Sequence, residues 1–155
     1  MSEIPLIDET GIFEARLAPN FDSVKGAFEL VARFRTAHGL SQRDALILNL
    51  ILEELLVNTV EHGRPPDHHP VSIRLARSGY CVAIDYRDRG VAFNPIKDTP
   101  PDDIDQPVDE RRVGGLGWPL IRHYCHNIRY ERNTDGENAL MLERRVEAFD
   151  DFKSG

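Results

Sequence analysis

Residues 45–60 form the longest apolar stretch of the chain, yet Asn49, Glu53, Glu54 and Asn58 interrupt it. Ser41-Gln42-Arg43-Asp44 precedes it with a capping-box pattern in which Asp replaces the usual Glu. Gly63 follows His62 as a stop. The spacing predicts one long helix that any fold of this chain must cover. Residues three or four apart share a helix face, so Glu54, Asn58 and Glu61 make one narrow stripe. One and two turns upstream the same line holds Ile47, Leu50 and Ile51. The stripe therefore starts apolar and turns polar halfway along. A helix end emerging into water gives this pattern. So does a helix whose second half faces a pocket. There, Asn58 offers a neutral oxygen to a hard cation such as Mg²⁺, and Glu54 can act as a base or orient a water.

The remaining pattern supplies the cover. Residues 12–17 alternate as a strand, and Pro19-Asn20 breaks them. From Asp22, read as an N-cap, Val24, Ala27, Phe28, Val31, Ala32 and Phe34 recur at helical spacing up to His38-Gly39. Arg64-Pro65-Pro66-Asp67 is loop. Residues 71–76 and 80–86 read as a hairpin turning at Arg77-Ser78-Gly79. Residues 97–113, rich in Pro and Asp, predict a mobile loop. A short helix with Pro119 in its first turn follows, then a hairpin around Asn133-Thr134-Asp135-Gly136. Residues 147–155 read as a ragged tail. Few helices appear for the number of strands, and hairpins dominate. The expected fold is an α/β sandwich in the α+β sense, with helices on one face of a mixed, mostly antiparallel sheet. At 155 residues, one domain over 1–155 is expected.

The net charge of -7 argues against a broad grip on nucleic acid. No secretory signal or membrane span is visible, so a cytoplasmic location is expected. Cys81 lies in an apolar run and reads as a buried small hydrophobe; Cys125 lies near a helix end. The histidines lack zinc spacing, and His68-His69 sits in a proline loop.

Two loops could complete a pocket. Gly114-Gly115-Leu116-Gly117 stands directly before a helix, where backbone N–H groups and the helix dipole favour phosphate. A structural turn explains it equally well. Asp88-Arg89-Gly90 ends a strand, and Asp88 either caps the turn or accepts a hydrogen bond from a base amine.

In this order the motifs resemble those of the GHKL (histidine-kinase-like) ATPase superfamily, and most closely its anti-sigma factor serine/threonine kinases. Residues 52–63 resemble the N box, 88–95 the G1 box and 114–122 the G2 box with its helix. The closing hairpin also matches, and the likeness spans about residues 10–145. The resemblance implies a Bergerat-type ATP-binding fold that takes ATP or ADP with Mg²⁺, with Glu54 as catalytic base and Asn58 as metal ligand. It implies nucleotide contacts from Asn58, His62, Asp88, Gly90, Phe93, Gly114, Gly115, Leu116 and Gly117. Residues 97–113 would be the ATP lid. Ala92 stands where many superfamily members have a second glycine, and Arg111 and Arg112 are candidates for the lid arginine that reaches the terminal phosphate.

The resemblance further implies a kinase that sequesters a sigma factor and phosphorylates a serine of an anti-anti-sigma (STAS-domain) partner. Only resemblance suggests a homodimer. A non-catalytic, nucleotide-dependent partner switch is the alternative. A sensor histidine kinase would need a helix pair before Ile12, and gyrase-like or mismatch-repair ATPases a transducer domain after the fold. A plain scaffold would show no thermal response to ATP.

Overall fold

The computed structural model describes residues 6–7, 11–66, 68–94 and 117–147. Six strands form one sheet: β1 (Leu6–Ile7), β2 (Phe13–Leu17), β3 (Val71–Ser78), β4 (Cys81–Asp88), β5 (His126–Arg132) and β6 (Asn138–Arg145). Their order is β1-β2-β3-β4-β6-β5. Five are full strands, and β1 is a two-residue edge. Every described pairing is antiparallel. Three helices, α1 (Val24–His38), α2 (Gln42–Asn58) and α3 (Gly117–Tyr124), complete the expected layered α+β fold.

Alternation decides which face the helices cover. Phe13, Ala15, Leu17, Val71, Ile73, Leu75, Val82, Ile84, Tyr86, Leu140 and Leu142 all point into one core. Leu30, Val31 and Phe34 of α1 meet them, as do Leu48, Ile51, Leu52, Leu55 and Leu56 of α2 and Ile121 of α3. Helix α2 packs against both α1 and α3, which explains its apolar breadth. The opposite face of the sheet carries Cys81, Ala83, Asp85 and Arg87 of β4, with Met141 and Glu143 of β6; none joins the core.

Local chemistry sets the helix ends. Helix α1 stops where Gly39 takes the left-handed conformation, φ 64°. Its start differs from expectation. A 3-10 turn (Phe21–Ser23) comes first, so Ser23 rather than Asp22 is the N-cap. The Ser23 hydroxyl donates to Ala18 O at 2.6 Å instead of capping the helix. Ser41 does cap α2, accepting from Asp44 N–H at 3.0 Å. Asp44 has a second role that its spacing hides. It is 1% exposed and accepts from Arg144 Nη2 at 2.7 Å and from Glu147 N–H at 2.9 Å. The start of α2 is thereby pinned to the chain after β6.

Three other details depart from the sequence reading. The β3–β4 hairpin turns at Gly79-Tyr80, because the strands extend through Ser78. The stop after α2 is Arg64, at φ 47°, not Gly63. Cys81 is half-buried on the helix-free face, within 3.8 Å of Glu143 Oε2, rather than in the core.

Breaking a buried ion pair strands the surviving charge. Asp44→Ala is expected to lower the unfolding free energy by about 3 kcal/mol, read from urea denaturation.

Candidate functional site

Helix α2 does not end as a regular helix. Its last turn, Thr59–Gly63, is a π-helix, closed by Arg64 N–H on Thr59 O at 2.9 Å. Thr59 is 5% exposed, and its hydroxyl lies 2.7 Å from the Tyr86 hydroxyl. Tyr86 also reaches Leu55 O at 3.1 Å, although that carbonyl already accepts from Thr59 N–H. Thr59 Oγ1 donates onward to Asp88 Oδ2 at 3.3 Å. Burial is the main cause that pushes the Tyr86 phenol well above its ordinary value; the Thr59 contact opposes this and Asp88 adds to it. Tyr86 stays a neutral hydroxyl, and the end of α2 is tied to the end of β4.

A closer contact lies beside it. Val91 N–H donates to Gly63 O at 2.9 Å. A Cβ on Gly90 would lie 2.7 Å from Gly63 O and 2.8 Å from Gly63 Cα. Glycine is required at 90 by backbone meeting backbone, not by an unusual φ.

Asp88 is the convergence point. Its Oδ1 accepts from Gly90 N–H at 2.8 Å and from Asn138 Nδ2 at 3.0 Å, while Oδ2 receives Thr59. An ionised carboxylate offers about four acceptor positions. Three are filled by described residues, leaving one on Oδ2. Asn138 Nδ2 also reaches Gly90 O and Val91 O, each at 3.1 Å. Arg132 Nη1 donates to Gly90 O at 3.1 Å and to Asn138 Oδ1 at 2.9 Å. Arg89 clamps the hairpin tip, with Nη1 on Asp135 O at 2.8 Å and Nη2 on Asp135 Oδ2 at 2.9 Å. The loop after β4 is thus held by α2 on one side and by the β5–β6 hairpin on the other.

The stripe on α2 reaches the same end of the molecule. Glu54 is partly buried, and burial first, then the Glu53 and Glu61 charges, raise its carboxyl above the ordinary 4.5. Among the described residues it has no cationic partner. Asn58 Nδ2 is buried and unpartnered among the described residues. A buried amide left incomplete in this way calls for a partner that no described residue supplies. Asn58 precedes Thr59 directly, so it is one residue from the Asp88 network.

The other expected site residues are spread more widely. His62 is exposed, with Nε2 3.8 Å from Glu61 Oε2. Phe93 is 37% exposed, and its ring centroid lies 6.5 Å from that of Trp118. Gly117 is the first residue of α3. Gly114, Gly115, Leu116, Arg111, Arg112 and the expected lid over 97–113 lie outside the described residues.

Residues 17–143 match the histidine kinase-like ATPase domain family. The chain belongs to the histidine kinase-like ATPase family. The resemblance carried by the three motifs is thereby shown, and nucleotide is the ligand class of the domain. The ATPase domain is also similar to the serine/threonine-protein kinase BtrW of Bordetella bronchiseptica (strain ATCC BAA-588 / NCTC 13252 / RB50). The two are 34% identical over 104 residues, covering 66% of this chain and 71% of BtrW. Among the described residues of the ATPase, no helix is long and apolar enough to cross a membrane.

Sequence reasoning did not single out Thr59, Tyr86, Arg132 or Asn138 as parts of this network. One signal was present. Leu140 and Leu142 mark the core-facing phase of β6, and Asn138 falls in that phase as a polar residue. A polar side chain in a core register needs designated partners.

Gly90→Ala must push the loop off Gly63, an overpacking cost of about 1–3 kcal/mol. The expected result is a lower melting temperature together with weakened nucleotide binding, measured by thermal shift with and without ATP. Glu54 gives a second expectation. Its raised carboxyl makes ionisation unfavourable in the fold. The stability it contributes is full below the ordinary carboxylate value and is lost as pH rises through the raised one. Glu54→Gln should therefore melt no lower than the parent at pH 7, and the difference should vanish in acid.

Proposed function

We propose that this chain is a protein serine kinase that binds ATP with Mg²⁺ and acts as an anti-sigma factor. The observation that carries the reading is the acceptor position on Asp88 Oδ2 that no described residue fills. An adenine amine is a donor of the right kind for it, whereas a guanine carbonyl at the same place is not. Family membership and the likeness to a named serine/threonine-protein kinase support the same reading.

The unpartnered Asn58 Nδ2 is a donor suited to a phosphate oxygen or a water beside Mg²⁺. The metal-ligand role of Asn58 Oδ1 rests on the family resemblance, and a neutral carbonyl oxygen suits that ion. The ion supplies charge neutralisation on the phosphate oxygens when bound. By family resemblance, Gly114, Gly115, Leu116 and Gly117 are assigned to the phosphates and residues 97–113 to the lid. Phe93 and His62 border the nucleotide. Glu54 accepts the proton of a partner's serine hydroxyl while that oxygen bonds to the γ-phosphorus and the bond to ADP breaks. Its raised pKa suits this task better than that of an ordinary carboxylate.

The partner is a small anti-anti-sigma protein of the STAS type, and the sequestered protein is a sigma factor. The whole chain works as one domain in the cytoplasm.

Incubation with radiolabelled ATP, Mg²⁺ and a purified STAS-domain partner tests the reading. Label should appear on a partner serine, and Glu54→Gln should reduce the transfer rate at least a hundredfold. Transfer should also fall as pH drops through the raised Glu54 value, because only the ionised carboxylate is a base. ATP binding without any transfer would instead make the protein a nucleotide-dependent switch. Undiminished transfer by Glu54→Gln would remove Glu54 from the chemistry.

A further inference from the structure

Strands β4, β6 and β5 lie side by side. On the face turned away from the helices, three side chains of metal-binding type meet there. Cys81 opens β4, His126 opens β5, and Glu143 lies on β6 between them. The register explains the meeting. Ala83 pairs with Glu143, and Glu143 pairs with His126, so the three occupy one row. Cys81 is two residues before Ala83 and shares its face.

The ligating atoms of Cys81, His126 and Glu143 all lie within 4.8 Å of one another. His126 Nε2 is 3.6 Å from Glu143 Oε2, and Cys81 Sγ is 3.8 Å from the same oxygen. Zinc bond lengths of about 2.3 Å to sulfur and about 2.0–2.1 Å to nitrogen or oxygen imply tetrahedral edges of roughly 3.3–3.6 Å. Two edges are already within a few tenths of an ångström, and side-chain rotation can close the third.

Two observations set this apart from a chance grouping. Strand β5 is irregular between His126 and Arg129, with Asn127 at φ 51°. Such bulges re-aim side chains. Here the irregularity lets consecutive residues approach one carboxylate, because Asn127 Nδ2 donates to Glu143 Oε2 at 3.0 Å. A hydrogen bond that fixes a ligating carboxylate is what a metal site requires around its ligands. A simple His126–Glu143 ion pair would account for two of the residues but not for the thiol beside them.

We propose that Cys81, His126 and Glu143 bind one Zn²⁺-class ion, with Asn127 as a positioning residue and the fourth position taken by water. Sulfur and imidazole select a soft or borderline ion over Mg²⁺. The site is remote from the nucleotide pocket: Cys81 pairs with Arg145 at one end of the β4–β6 ladder, and Asp88 pairs with Asn138 at the other. Binding ties three strands together, including the two that support the Asp88 loop.

The test is titration of the full chain, kept reduced with a phosphine and stripped of metal, with Zn²⁺ against a chromogenic chelator. Co²⁺ absorption is recorded in parallel. One ion per chain is expected, with a thiolate-to-Co²⁺ charge-transfer band. Cys81→Ser should abolish that band and weaken Zn²⁺ binding more than tenfold. His126→Gln should weaken it similarly, and both variants should keep parental ATP binding and metal-free melting. Absence of stoichiometric binding would overturn the proposal. So would binding that survives Cys81→Ser but is lost when His68 and His69 are both replaced, which would place the ion in the proline loop.

Discussion

The tightest approach among the described glycines is the contact between Gly63 and Gly90. Two backbones meet with no room for a side chain, and Val91 N–H to Gly63 O closes the contact at 2.9 Å. That contact fixes where α2 ends relative to where β4 ends. Everything on α2 that could act on a ligand is thereby set against everything on the loop that could bind one. The π turn belongs to the same constraint. It starts at Thr59, whose side chain meets Tyr86 and Asp88, and it ends at Gly63.

The ordering continues outward from there. Asp88 holds Gly90 N–H, Asn138 holds Asp88, and Arg132 holds Asn138. Each group is satisfied by the next, so the loop is pre-organised before any ligand arrives. Against this, Glu54 and Asn58 stand out as incomplete. One is a carboxylate that burial and like charges keep above its usual range, and the other is an amide with a buried, unpartnered nitrogen. Groups left unfavourable in a well-satisfied surrounding are the expected mark of a working site. The fold is stable elsewhere, through a core to which all three helices contribute and a buried Asp44–Arg144 pair that closes it at the far end of α2.

Much of this was legible in the chain. Alternation gave β2 to β4 and the last hairpin, and helical spacing gave α1 and α2. The run from Ser41 to Gly63 already showed a stripe that changes character midway. What stayed hidden had two physical causes. Some features depend on contacts far apart in sequence: Asp44 looks like a local cap until Arg144, 100 residues on, reaches it. Gly63 looks like a helix stop until Gly90 arrives against it, and Arg64 takes the left-handed turn instead. Other features depend on register. Cys81 sits in an apolar run, yet it falls in the opposite phase of β4 from the core-facing Val82, Ile84 and Tyr86, which leaves it on the helix-free face. Asn138 became meaningful only once its strand phase was known.

The central proposal is that Asp88 reads an adenine amine with the one acceptor position that no described residue fills. Calorimetric titration of ATP and GTP into the protein and into Asp88→Asn, with Mg²⁺ present, tests it most directly. The parent should bind ATP at least a hundredfold more tightly than GTP, and Asp88→Asn should lose most of that preference while keeping its fold. Equal affinity of the parent for the two nucleotides, or an unchanged preference in Asp88→Asn, would contradict the account.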